Sequence, residues 1–151
     1  MAAGMPNVHF EGLLGGQGLA RLFHGARAVV VPSLFPETFG YVVLEAFAVR
    51  TPVIVHQGGG ALHETGVLSG GGLGYQTDGE LLLALRRLAH DDDLRDDLAH
   101  RGYAVRTGEW SETAHVDRYF NLIHAIQAGR PSAPRPKFLS VPIRRSTPTE
   151  I

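Results

Sequence analysis

"RAVVVPSLFPETFGYVVLEAFAVRTPVIVH", residues 27–56, decides the fold. It opens on a β-branched run, "RAVVVP" at 27–32, crosses a turn-rich segment, and becomes helical over "GYVVLEAFAV" at 40–49. After the turn at "RTP" it returns to a second β-branched run, "VIVH" at 53–56. Short apolar runs that do not alternate with polar residues are the mark of strands buried on both faces, as in parallel sheets. Strand, helix and strand in sequence therefore predict a parallel α/β unit.

The flanking chain repeats the pattern. "VHF" at 8–10 and "GLGYQ" at 72–76 read as further strands, and "GLARLFHGA" at 18–26 and "GALHET" at 60–65 as helices. "DGELLLALRRLAHD" at 78–91, capped by Asp78, and "DDLRDDLAHRGYAVRTG" at 92–108 are stronger helical patterns. A last helix runs from the N-cap Ser111 to about Gln127, with Gly129 as its stop. The pattern predicts an α/β fold, a parallel sheet flanked by helices.

At 151 residues and 44% apolar, the chain has material for one core. Residues 1–128 carry 9 Arg against 14 Asp or Glu, net -5, whereas 129–151 carry 5 basic residues against Glu150, net +4. The domain is expected at 1–128. The proline-rich, aperiodic tail at 129–151 is expected to be disordered and is given no function. No cysteine is present, which excludes disulfides and thiolate metal sites. No apolar run reaches the roughly 18 residues of a membrane span, and residues 1–12 lack the form of a secretory signal, so a soluble, cytoplasmic protein is expected. The net charge gives no ground for a nucleic-acid partner.

Ligands of open parallel sheets bind at the carboxyl ends of strands. "SLFPETFG" lies at such an end, with Glu37 in the turn and Glu45 as the sole charge of the helical run at 40–49. Apolar residues on all sides of that run predict a buried helix, and a buried carboxylate needs an arginine, a set of donors or a polar ligand. Arg21, Arg27 and Arg50 are the candidate ion-pair partners; a ligand is the alternative. For Glu37 the alternative to a ligand role is a solvated loop acid. Of the two glycine runs, 58–60 follows a strand and precedes a short helix, which makes Gly58 and Gly59 candidates for ligand contact. Eight scattered histidines, His56 and His63 included, form no metal-ligand spacing, so no metal is expected.

"PETFGYVVLEAFAVRTPVIV" resembles the E-x7-E signature of retaining glycosyltransferases of the GT-B fold, the family 4 group, with Glu37 and Glu45 as its acids. "NVHFEG", "ARAVVVPSLFPETFG", "GGGALHETG" and "DGELLLALRRLAHDDDLRDDLAHRG" extend the resemblance over residues 7–127. It implies a Rossmann-like, partial C-terminal domain of a GT-B fold that binds a nucleotide-diphosphate sugar for retaining, hexosyl-type transfer without a metal or other cofactor. Glu45 would accept hydrogen bonds from ribose hydroxyls. Glu37, the acid assigned to catalysis, would accept from the donor sugar. The backbone of Thr38, Phe39, Gly40, Tyr41 and Val42 would meet sugar and diphosphate oxygens.

The sequence departs from the family in ways that bear on activity. The acceptor-binding Rossmann-like domain, its glycine-rich loop and the Arg/Lys pair that clamps the diphosphate are missing from these residues, and the single lysine is Lys137. The isolated chain is therefore expected to be inactive, or a non-catalytic nucleotide-sugar-binding module or truncated remnant. Arg50 stands where the family usually has Gly, and His63 where Pro is frequent.

Overall fold

The structure, a computed structural model, describes residues 4–129. Three parallel strands, β1 (Val29–Val31), β2 (Val53–His56) and β3 (Gly72–Tyr75), lie in the order β1-β2-β3. Val29 registers with Val53, and Ile54 with Leu73. The helices are α1 (Gly16–Gly25), α2 (Tyr41–Ala48), α3 (Ala61–His63), α4 (Asp78–His90), α5 (Asp92–Thr107) and α6 (Glu112–Gln127). A π-helical turn, Glu64–Leu68, continues α3. The α/β class and the flanked parallel sheet are as the sequence predicts.

Period-2 side-chain alternation divides the core between the two faces of the sheet. Val53 and Val55 join Val29, Val31, Val43, Phe47 and Leu62 in one cluster, while Ile54 joins Tyr75, Ala84, Leu88 and Leu98 in the other. Phe47 of α2 is fully buried. Its ring occupies the space that a Cβ on Gly71 or Gly102 would need, at 2.3 Å and 2.5 Å respectively. This close seating lets α5 pack directly on α2. Burying such a side chain contributes about 1.5–3 kcal/mol.

Several local expectations are corrected. Residues 8–10 form no strand, and Phe10 is 80% exposed. A strand exists only through its ladder, and among the described residues none pairs with this segment. The cap of α4 is Thr77, whose side chain accepts from Glu80 N–H, while Asp78 is the first helical residue. Glu80 reaches back to Gln76 N–H at 2.7 Å, closing a box-like N-terminus. Asp91 and Ser111 cap α5 and α6. Gly129, at φ +65°, ends α6 in the left-handed region. Of the expected tail at 129–151, residues 130–151 lie outside the described residues.

Arg50, just beyond α2, has φ +60°, the one positive φ of a non-glycine residue among those described. Its guanidinium lies over the Tyr103 ring at 4.1 Å, a contact that offsets part of the conformational cost.

Candidate functional site at the carboxyl edge of the sheet

The loops leaving β1 and β2 are joined to each other. Glu37 N–H donates to Gly59 C=O at 3.0 Å, and Ala61 N–H donates to Glu37 C=O at 3.1 Å, forming a parallel bridge between Glu37 and Gly60. The two loops thus extend the sheet's pairing beyond its regular strands. Gly60 has φ +64°, and a Cβ there would come within 3.0–3.1 Å of Pro36 and the Glu37 carbonyl. Thr65 Oγ1 donates to Phe39 C=O at 3.2 Å and fixes the far end of the Glu37 loop.

Gly58 and Gly59 turn their amides inward: Gly58 N–H donates to His56 Nδ1 and Gly59 N–H to His56 C=O, each at 3.0 Å. Their contribution is the shape of the loop. By contrast, the N–H groups of Thr38, Phe39, Gly40, Tyr41 and Val42 have no acceptor among the described residues. The first turn of any helix leaves such donors free, and the positive end of the helix dipole adds to their attraction for anions. Gly40 makes the geometry possible. It caps α2 at φ +79°, and a Cβ there would lie 2.7 Å from Leu62.

Glu45 is not buried as expected. It is exposed and, among the described residues, has no ion pair or hydrogen bond; Arg21, Arg27 and Arg50 are not its partners. The helix is buried through Val43, Leu44, Ala46 and Phe47, which leaves Tyr41, Glu45 and Ala48 on an open side. That side borders a cavity of about 720 Å³, shared with Thr38, Phe39 and Leu44. The opposite wall comes from the end of α5 and the start of α6: Arg106, Trp110, Ser111, Glu112, His115 and Arg118. Phe39 sits between Tyr41, at 4.7 Å between ring centroids, and Trp110, at 5.2 Å, forming an aromatic floor.

The structure therefore divides the expected site. Thr38, Phe39, Tyr41 and Glu45 share the cavity; Glu37, Gly58 and Gly59 meet at the bridged loops; Gly40 and Val42 form the start of α2 between them. Sequence reasoning missed the α5–α6 wall. The only signal for it was a helix end and helix start, "RTGEWSETAH", with aromatic and basic residues close together. Among the described residues no cluster of three or more His, Asp or Glu could hold a metal ion, and no helix is long and apolar enough to cross a membrane.

These features define a class, a Rossmann-like α/β domain whose sheet ends in polar loops at its carboxyl edge. The chain belongs to the family of glycosyl transferases group 1, whose family model matches residues 3–105. Over 55 residues it is 46% identical to a protein of Methanocaldococcus jannaschii described as an uncharacterized glycosyltransferase. That stretch is 36% of this chain and 14% of the relative's length.

Proposed function

We propose that the chain is the donor-binding, C-terminal Rossmann-like domain of a retaining, family 4-like glycosyltransferase of the GT-B fold, and that it binds a nucleotide-diphosphate sugar. The observation that carries this reading is the run of free N–H groups from Thr38 to Val42 between two carboxylates, neither of which has a partner in the described chain. Free amides at a helix start suit diphosphate oxygens, and unpaired carboxylates suit sugar hydroxyls. In this reading Glu45 accepts from the ribose and Glu37 from the donor sugar. Gly58 and Gly59 keep the neighbouring loop against Glu37. Departure of the diphosphate is assisted by the α2 N-terminus and by protein cations rather than by a metal. The acceptor is held by a second Rossmann-like domain; the much greater length of the related protein supports such a partner.

Calorimetry on the 151-residue chain tests the division of roles. Glu45→Gln is expected to weaken a bare nucleoside diphosphate and the nucleotide sugar alike, because both contain ribose. Glu37→Gln is expected to weaken only the nucleotide sugar. A hydrogen bond to a charged group is worth ~1.5–3 kcal/mol, so each loss is roughly tenfold to a hundredfold in Kd. Equal weakening of the bare diphosphate by Glu37→Gln would remove that residue from the sugar.

A further inference from the structure

Resting on that reading, we propose that Arg106 and Arg118 form a phosphate subsite at the α5–α6 corner, a second source of positive charge for the ligand whose hydroxyls Glu45 receives. Both residues line the cavity that Glu45 borders. Arg106 Nη1 donates to Trp110 C=O at 3.4 Å and Arg118 Nη2 to Glu109 C=O at 2.5 Å. The two side chains are thus tied to consecutive carbonyls of one turn, although 12 positions separate them in the sequence. They approach the turn from two helices, which brings two like charges to the same wall.

Two positive charges on one cavity wall attract an anion that enters between them. Among the described residues no carboxylate pairs with either one; Glu112 and Glu45, on the same cavity, are bonded to neither. Other arginines are accounted for differently. Arg27, Arg95 and Arg101 pair with aspartates, and Arg50 lies on Tyr103. Arg21, Arg86 and Arg87 are surface residues that do not line this cavity. Each guanidinium presents five N–H donors in a planar fork that matches phosphate oxygens, and a single carbonyl uses one of them. The start of α6, with Ser111 as its cap, adds a helix N-terminus to the same wall.

The test is calorimetry of the full 151-residue chain with inorganic pyrophosphate, with UDP, GDP and ADP, and with the matching nucleosides. Arg106→Gln and Arg118→Gln should each weaken pyrophosphate and the best-bound nucleoside diphosphate about tenfold while leaving the nucleoside unchanged. Arg118→Lys should recover part of that loss, since charge is kept and the fork is not. Glu45→Gln should spare pyrophosphate. Circular dichroism on each variant verifies folding.

If the diphosphates depend on Glu45 but not on the arginines, the subsite is overturned and the donor reading stands. If pyrophosphate depends on the arginines while no nucleotide or nucleotide sugar binds more tightly than pyrophosphate, the subsite stands and the donor reading falls. Absence of binding by every probe overturns both, and equal weakening of nucleoside and diphosphate overturns the phosphate assignment.

Discussion

Glu37 and Glu45 belong to one short stretch, yet the molecule holds them by different means. Glu37 is positioned through its backbone, which exchanges hydrogen bonds with the loop at 59–61. Glu45 is positioned through the helix beneath it, which is fixed by the buried faces of Val43, Leu44, Ala46 and Phe47. One acid depends on a neighbouring loop's conformation and the other on the core. Damage to either support should therefore affect different parts of a bound ligand.

The strongest way to break the comparison is Phe47→Ala. Removing this fully buried ring should cost ~3–5 kcal/mol in urea denaturation and leave α2 loosely seated, with bare nucleoside diphosphate affinity falling in the molecules that remain folded. A cost below about 1 kcal/mol would mean that the site collapses around the gap and that α2 is held elsewhere.

Gly60→Ala strikes the other support. A residue with a Cβ at φ +64°, close to Pro36 and the Glu37 carbonyl, is strained by about 1–3 kcal/mol, and the bridge should yield first. Nucleotide-sugar affinity should fall as expected for Glu37→Gln, with bare diphosphate spared. Equal losses for both ligands would show that the two acids share one support.

Asp92 sharpens the comparison because it supports neither acid directly. Hydrogen bonding and attraction from Arg27, with a lesser contribution from Arg95, hold its carboxyl below the usual aspartate range. A folded-state pKa below the unfolded one stabilises the protein above the unfolded value, and that stability is lost as pH falls through the folded value. Asp92→Asn should lower Tm by no more than a few degrees at neutral pH, and the difference should shrink below about pH 4. Both acids' ligand affinities should be unchanged at neutral pH; a binding loss in this variant would mean that the α5 anchor reaches the site.

Much of the fold was legible because its signals are local. Three of the four expected strands formed, and the caps at Ser111 and Gly129 lie where side-chain and glycine chemistry put them. Thr77 was legible too, as the Thr-x-x-Glu pattern ending at Glu80, but the adjacent Asp78 was an equally good capping residue by composition. The segment at 8–10 failed as a strand because pairing is nonlocal. The exposure of Glu45 was hidden for the same reason: an apolar count around a helix does not show which side another element leaves open. Arg50 adopts a backbone conformation that favours glycine, and its residue type gave no sign of it. The α5–α6 wall depends on tertiary placement of residues far from the two acids in sequence, and no spacing rule joins them.

The seat of Phe47 restricts the order in which this sequence can change. The ring, Gly71 and Gly102 come from three separate segments, and each excludes a larger residue at the others. An alanine at Gly102 meets the aromatic ring before any new contact can form, whereas the same alanine opposite a smaller residue at position 47 would fill the vacated space; an alanine at Gly71 meets the Gly102 backbone as well, at 2.7 Å. Substitutions here are conditional on one another, so their effects will not add. A lineage must pass through a less stable intermediate to repack this seat, and the helix carrying Glu45 is thereby kept in place by the inaccessibility of its alternatives as well as by its own contacts.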